Sequence, residues 1–285
     1  MPTMFFALPS LLPALLLLAA PPTNASDDIA SHYGFDGLEV VKVDEKAGPF
    51  VVADMNKDGL NDLVVVDNFK NRIDIYYQRK DAKPTDDVAP AKGVNEFPEH
   101  WRFRRDSITV DRETEAVFPY DYDGDGLIDL LYAGNSPAGI VWVRQTEPGV
   151  FKIARKQTVR NLAANRDALM AADVLSDSKP ELLSIVDGKI NIWPMDKDVL
   201  GAPVELSAGS GRVVAILVDD FDGNGTLDIV GVIPEDPAPL RAWFTERQAG
   251  KMVIGPQVRF EMPPIREATA VHLPHERAAV LGVVE

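Results

Sequence analysis

The sequence contains no cysteine. This absence excludes disulfide bonds, thiolate zinc sites, a cysteine nucleophile and c-type haem attachment. The common catalytic motifs are also missing: there is no G-x-S-x-G nucleophile elbow, P-loop, H-E-x-x-H or G-x-G-x-x-G. We therefore expect this chain to have no catalytic site of its own.

Histidine is scarce, with four residues in the chain. Two of them lie in the stretch HLPHE, from His272 to Glu276, which resembles a metal-ligand cluster. Pro274 opposes the helix that zincin-like spacing needs. We interpret this stretch as an exposed loop rather than a metal site.

Basic residues are fewer than acidic ones: the sequence has 29 Lys and Arg and 44 Asp and Glu, which gives a net charge of -15. Nucleic acids and anionic membranes would be repelled by this surplus of acid, whereas metal cations would not. The charge therefore argues against nucleic acids and anionic membrane surfaces as partners. Because no segment after the N-terminal run is apolar enough to span a bilayer, we also expect no membrane insertion of the mature chain.

The N-terminus carries no Lys or Arg before Lys42, and it is apolar from Met4 to Ala20. Pro9 and Pro13 interrupt this run, and PPTNAS follows it with small residues suited to cleavage. We interpret residues 1–25 as a secretory signal peptide and residues 26–35 as a linker. The mature protein is then expected outside the cytoplasm, either secreted or in the periplasm or cell envelope.

Aspartate, by contrast, is concentrated in three short stretches with one layout, Asp-x-Asp/Asn-x-Asp/Asn-Gly-x-x-Asp. Four acids within nine residues, as in DYDGDGLID, repel one another unless a cation lies among them. With position seven included for its main-chain carbonyl, the predicted ligands are Asp54, Asn56, Asp58, Leu60 and Asp62; Asp121, Asp123, Asp125, Leu127 and Asp129; and Asp220, Asp222, Asn224, Thr226 and Asp228.

Oxygen ligands converging from positions one, three, five, seven and nine suit Ca2+, which takes about six to eight oxygens. The glycine at position six allows the positive φ of a sharp turn. The alternative is that these stretches are Asx turns in ordinary hairpins. An EF-hand is excluded because Val65, Tyr132 and Gly231 stand where its bidentate Glu would be. We predict about three calcium ions.

The loops belong to a longer repeat, with starts at 54, 121, 173 and 220. In the third copy, DVLSDSKPE, Leu175 replaces a ligand and Ser178 replaces the glycine, so we expect no ion there. A fifth unit aligns near Val271. The long first interval predicts an exposed insertion at about residues 78–100, which are polar and contain proline.

Each unit has an apolar approach to the loop, a second run such as LVVV or LLYA, a strand with an aromatic residue and a last strand. The aromatic position is occupied by Tyr76, Trp142, Trp193 and Trp243, which we interpret as packing residues. Four short strands per unit of about 50 residues are typical of propeller blades. We predict an all-β fold, a β-propeller of about five four-stranded blades.

These loops and strands resemble the FG-GAP/VCBS repeat family, the calcium-binding β-propellers of integrin alpha chains and many secreted bacterial proteins. The resemblance covers residues 36–285. It implies a calcium-binding module that serves as a binding or scaffold unit for protein or carbohydrate ligands. The alternative is the propeller domain of an extracellular carbohydrate-active or redox enzyme whose catalytic part lies outside this chain.

The number of blades follows from how the ring would close. Leu38 to Val43, LEVVKV, is predicted as an outer strand that completes the last blade. A further strand of that blade is still missing, so we expect the chain to be the N-terminal part of a larger, seven-bladed propeller. A complete five-bladed ring is the alternative.

Overall fold

The computed structural model describes residues 39–88, 90–91, 93–94 and 96–284. The chain divides into two units, Met1–Val41 and Lys42–Glu285, and the strands named below belong to the second. The predicted signal peptide and linker lie outside the described residues. Among the residues that are described, no helix is long and apolar enough to cross a membrane.

The described residues of the second unit form five antiparallel sheets. The first is formed by β1 (Ala47–Ala53), β2 (Asp62–Asp67), β3 (Arg72–Gln78) and β4 (Phe103–Thr109). The second is formed by β5 (Ala116–Tyr120), β6 (Asp129–Asn135), β7 (Ala138–Glu147) and β8 (Val150–Thr158).

The third sheet contains β9 (Leu169–Ala172), β10 (Glu181–Val186), β11 (Lys189–Asp196), β12 (Val199–Leu200) and β13 (Val204–Leu206). A short 3-10 helix, Arg166–Ala168, precedes β9. The fourth sheet contains β14 (Ala215–Asp219), β15 (Asp228–Val232), β16 (Leu240–Gln248) and β17 (Lys251–Phe260). The fifth contains β18 (Glu267–Val271) and β19 (Val280–Val284).

The strand order confirms the predicted all-β fold of blade-like units. In three of the sheets, four strands follow one another as antiparallel neighbours. The third sheet departs from this plan because its last strand is split, so that β12 and β13 both pair with β11. The fifth sheet has two strands among the described residues, β18 and β19.

The core lies between consecutive sheets. Three clusters of buried apolar side chains each combine residues of one sheet with residues of the next. In a fourth cluster, partly buried Ala268 and Leu281 of the fifth sheet pack against buried residues of the fourth. In the first interface, Ile73 and Ile75 of β3 pack with Val117 of β5 and Val141 of β7. Because both faces of the middle strands are covered, β2 and β6 are continuous apolar runs rather than alternating ones. Each fully buried side chain of this kind contributes about 1.5–3 kcal/mol.

The aromatic residues occupy two faces rather than one. Tyr76, Trp193 and Trp243 pair with Leu63, Leu182 and Ile229, the residues that directly follow the loop positions 62, 181 and 228. In the second sheet Val143 holds this place opposite Leu130, and Trp142 lies one residue earlier, opposite Leu131. A shift of one residue turns a side chain to the other face. Trp142 therefore packs toward the third sheet, and the assumption of one common aromatic position was wrong for this blade.

The described residues of the expected closing strand, 39–43, are not in a strand, so that prediction was wrong for this part; Leu38 lies outside the described residues. Between β3 and β4, the described residues form no strand. Ion pairs of Glu96 with Arg72 of β3 and Arg105 of β4 tie this segment to its sheet, and Glu99 pairs with Arg79 within the segment.

Candidate metal centres

The aspartate-rich loops all occupy the same connection, between the first and second strand of a sheet. They join β1 to β2, β5 to β6, β9 to β10 and β14 to β15. The loops also contact their neighbours: Gln145 Nε2 of the second blade donates to the Met55 carbonyl of the first loop at 3.0 Å. In the same way, the amide of Ala279 donates to the Asp220 carbonyl at 2.8 Å.

The first aspartate of each intact loop accepts hydrogen bonds from the main chain of the turn. The position-six amides of Gly59, Gly126 and Gly225 donate to it at 2.9, 2.8 and 2.9 Å. These glycines have φ angles of 85°, 88° and 84°. The predicted turn with positive φ is therefore confirmed, and it curls the main chain around the first carboxylate.

The last aspartate of each intact loop is buried and connects the loop to the third strand of its sheet. Asp62 accepts from the amides of Met55 and Gln78, at 2.9 and 2.8 Å. Asp129 accepts from Tyr122 and Gln145 at 3.3 and 2.7 Å. In the fourth sheet the same bonds are made to Asp228 by Phe221 and Thr245, at 3.0 and 2.8 Å. Position nine thus fixes the loop on the sheet as well as facing the other acids.

Burial disfavours the ionised form of these last carboxylates. It raises the pKa of Asp62 and of Asp228, and it raises that of Asp129 to about 7. The main-chain amides oppose this shift, and the neighbouring loop acids add to it. A cation among the acids would favour the charged forms, because opposite charges at short range stabilise one another.

The side chains of two loops converge as the spacing predicted. One carboxylate oxygen from each of Asp121, Asp123 and Asp129 lies within 4.8 Å of the others, and the same holds for Asp220, Asp222 and Asp228. Within the part of the chain that the structure describes, the acids of the first loop form no such group of three; there Asn56 at position three donates to Asp58. Oxygen donors gathered in this way can hold a hard metal cation.

The remaining predicted ligands line the same turns. The position-seven amides of Leu60, Leu127 and Thr226 donate to the position-five side chains, at 2.8, 2.8 and 2.7 Å. Those position-five residues are Asp58, Asp125 and Asn224. The turn thereby brings position seven beside position five in all three loops.

Arg144 lies beside the second loop, and the sequence did not lead us to predict this position. Its Nη2 atom forms an ion pair with Asp123 and lies 3.7 Å from Asp125 Oδ2. Arg144 is on β7, directly before Gln145, so nothing in the loop sequence reveals the contact. An alignment of the third strands of the blades could have indicated Arg144. It directly precedes Gln145, whose main-chain amide binds the position-nine aspartate, and its side chain reaches the loop.

The third, degenerate loop keeps the turn of the others. Asp173 accepts from the amides of Asp177 and Ser178 at 3.0 and 3.1 Å, and Ser178 adopts a φ of 69°. Glu181 replaces the last aspartate; it is buried and accepts from the Leu175 amide at 3.1 Å. Burial raises the pKa of Glu181 to about 7. Leu175 brings no oxygen to position three.

A further acidic group, Asp44, Asp67 and Asp74, was also missed, because its members come from separate elements of the first blade. Arg72 reaches all three, with Nε 3.1 Å from Asp67 and 2.9 Å from Asp74, and Nη2 3.1 Å from Asp44. The guanidinium already supplies the positive charge of this group. We therefore interpret it as a structural ion-pair network.

The stretch HLPHE behaves as the loop interpretation predicts. Residues 272–277 are exposed between β18 and β19, and His272 Nε2 lies 3.0 Å from Asp219 Oδ2. None of the groups of three metal-binding side chains found among the described residues contains His272 or His275.

Comparison with known families identifies one segment. Residues 121–184 match the family model described as an FG-GAP-like repeat. The match begins at the second loop and runs through the third into β10, and over these residues it confirms the resemblance predicted from the loops. No curated protein matches the chain.

Proposed function

We propose that the chain is a secreted, calcium-binding β-propeller module that binds or scaffolds protein or carbohydrate ligands. The observation that carries this proposal is the convergence of three carboxylates within 4.8 Å in the second and fourth loops. The FG-GAP-like repeat at residues 121–184 supports a module of this kind. The role requires no catalytic activity of the chain itself.

The fifteen predicted ligands of the three intact loops would hold the ions. Ca2+ in such a site supplies charge: it neutralises acids that otherwise repel one another and links the loop turn to the buried last aspartate. The first loop has the weaker support, since Asn56 contributes a neutral oxygen and its acids are less closely gathered. The loop at Asp173 is assigned no ion.

A cavity of about 770 Å³ beside the fourth loop is a candidate ligand groove. Phe244 gives it an apolar wall, and Arg247, Glu246 and Asn224 give it polar groups. An aromatic surface with a few polar side chains suits a glycan or a short peptide. The net charge of -15 disfavours nucleic acids and anionic membranes as partners.

Calorimetric titration of the decalcified, full-length mature protein tests the proposal. We expect three calcium ions for the wild type, two for Asp123→Ala and three for Asp177→Ala, which is the matched control in the degenerate loop. At about 1 mM Ca2+ and a Kd of about 0.1 mM, each site adds roughly 1.4 kcal/mol to the free energy of unfolding. Chelation should therefore lower Tm. An unchanged Tm and no heat of binding would overturn the proposal.

A further inference from the structure

Arg144 brings a positive charge to the acids of the second loop from outside the loop. Its Nη2 atom pairs with Asp123 at position three and lies 3.7 Å from Asp125 at position five. The Asp123 side chain is 2% exposed, whereas that of Arg144 is 44% exposed. The guanidinium thus reaches from solvent onto a nearly buried carboxylate.

The other two intact loops have no charge at the corresponding place. The amides that bind the last aspartate belong to Gln78, Gln145 and Thr245. The residues just before them are Tyr77, Arg144 and Phe244. The three positions are equivalent with respect to the last aspartate of the loop, and they differ in their side chains.

Lys57 adds a second positive group to the same loop. Its Nζ atom would lie 2.9 Å from a Cβ placed on Gly126, so the amine of the first loop lies over the turn of the second. The second loop also has four acids, Asp121, Asp123, Asp125 and Asp129, against three in each of the others. The second loop therefore has one more acidic residue than the other intact loops and also has two basic side chains beside it.

We propose that Arg144 is the resident counter-ion of the second loop and competes with Ca2+ for Asp123 and Asp125. This inference rests on the proposed function, that the intact loops bind calcium. Its consequence is a graded set of sites, in which the second loop binds Ca2+ more weakly than its four carboxylates alone would allow. The same pair stabilises the turn when calcium is scarce.

The competition follows from the ligands that the two cations share. A carboxylate that faces Ca2+ cannot keep the same contact with a guanidinium, and arginine cannot lose its charge by deprotonation in a protein. The affinity for calcium is lowered by the factor by which the ion pair stabilises the calcium-free state. For a pair that is partly exposed, this factor is roughly two- to fivefold.

The experiment isolates the second loop in the full-length mature chain. The variant Asp58→Ala/Asp222→Ala weakens the first and fourth loops, and Arg144→Gln is added to it. The matched control is Arg155→Gln, which removes the same charge from an exposed position of β8 in the same blade. Circular dichroism of each variant confirms that it is folded before calcium is titrated by calorimetry.

We expect Arg144→Gln to tighten calcium binding roughly two- to fivefold and Arg155→Gln to change it by less than about 1.5-fold. In EDTA, Arg144→Gln should lower Tm, and calcium should then raise Tm by more than it does in the parent. Arg144→Lys, which keeps the charge on a different head group, should lie between the two. The melting data give a readout that does not depend on the fitted affinity.

The outcomes separate the two claims. Calcium binding of unchanged or weaker affinity in Arg144→Gln, with the parent still binding one ion, overturns the inference and leaves the proposed function in place. Absence of calcium binding by the wild type at every loop overturns the proposed function, and the inference falls with it. Tighter binding in Arg155→Gln equal to that in Arg144→Gln also overturns the inference, since general charge would then explain both.

Discussion

The side-chain amide of Gln145 donates a hydrogen bond to the main-chain carbonyl of Met55 at 3.0 Å, from the second blade to the first loop. The same amide group donates to Ile128 at 2.6 Å, and its oxygen accepts from the Gly149 amide at 2.6 Å. Gln145 is fully buried, and its own amide binds Asp129. One side chain thus joins two loops, their blades and the turn after β7.

Replacing Gln145 with alanine should destabilise the protein by about 2–4 kcal/mol, because one buried and two partly buried main-chain groups lose their partner. Thermal unfolding in EDTA measures this without calcium. The control is Gln257→Ala. This partly exposed side chain makes one bond to Ser207, and its loss should change the free energy of unfolding by less than about 1 kcal/mol. Equal effects of the two substitutions would contradict the bridging role.

Gly225 and Ser178 occupy the same position of their loops with a positive φ, so substitutions at the two sites compare the cost of that backbone conformation. Gly225 has a φ of 84°, and a Cβ placed on it would meet nothing within 4 Å, so Gly225→Ala should cost about 1 kcal/mol through the backbone alone. Ser178 holds the same place in the third loop with a φ of 69°, so Ser178→Gly should be neutral or stabilise by up to about 1 kcal/mol. Urea unfolding in EDTA measures both, and a stabilising Gly225→Ala would refute this interpretation of the turn.

Glu181 should make stability fall as pH rises. Its pKa in the folded protein is about 7, above the ordinary value of 4.5, because the carboxyl is buried. The folded state therefore binds the proton more tightly than the unfolded state, and the stabilisation present below about pH 4.5 is lost as the pH approaches 7. Glu181→Gln keeps an oxygen for the Leu175 amide and cannot ionise.

The variant should be more stable than the wild type by roughly 1–3 kcal/mol at pH 8 and similar to it at pH 4.5. Tm measured in EDTA across this pH range gives the difference between the two proteins, and the other buried acids are common to both. Glu261→Gln, at an exposed position, is the control and should show no such trend. A constant difference from pH 4.5 to pH 8 would disprove the assignment to Glu181.

Export predicts a defined N-terminus. The apolar run from Met4 to Ala20 and the small residues after it place cleavage near Ala25. N-terminal sequencing of protein recovered from the medium or the cell envelope should therefore begin near Ser26. Recovery of the uncleaved chain from the cytoplasm alone would show that this run is not a signal peptide.

The local features could be predicted from the sequence because they depend on residues close together in the chain. The spacing of Asp121, Asp123 and Asp129 brings their side chains to one point, and the positive φ of Gly126 follows from the turn between them. The period of about 50 residues likewise predicted the blade-like units, since each unit is one meander whose two faces need neighbours. The candidate metal loops and the repeating architecture therefore follow from the order of residues along the chain.

The tertiary structure alone determines which residues of other strands and blades surround those loops. Arg144 reaches Asp123 because β7, the third strand of the second sheet, runs beside the loop. Gln145 reaches Met55 because the first and second blades pack against each other. Trp142 faces the third sheet because of a one-residue difference in register, which no count of residues along the chain reveals. Spacing within a loop specifies its own ligands, whereas the charges and contacts that tune it come from strand register and blade packing, which form only when distant segments meet.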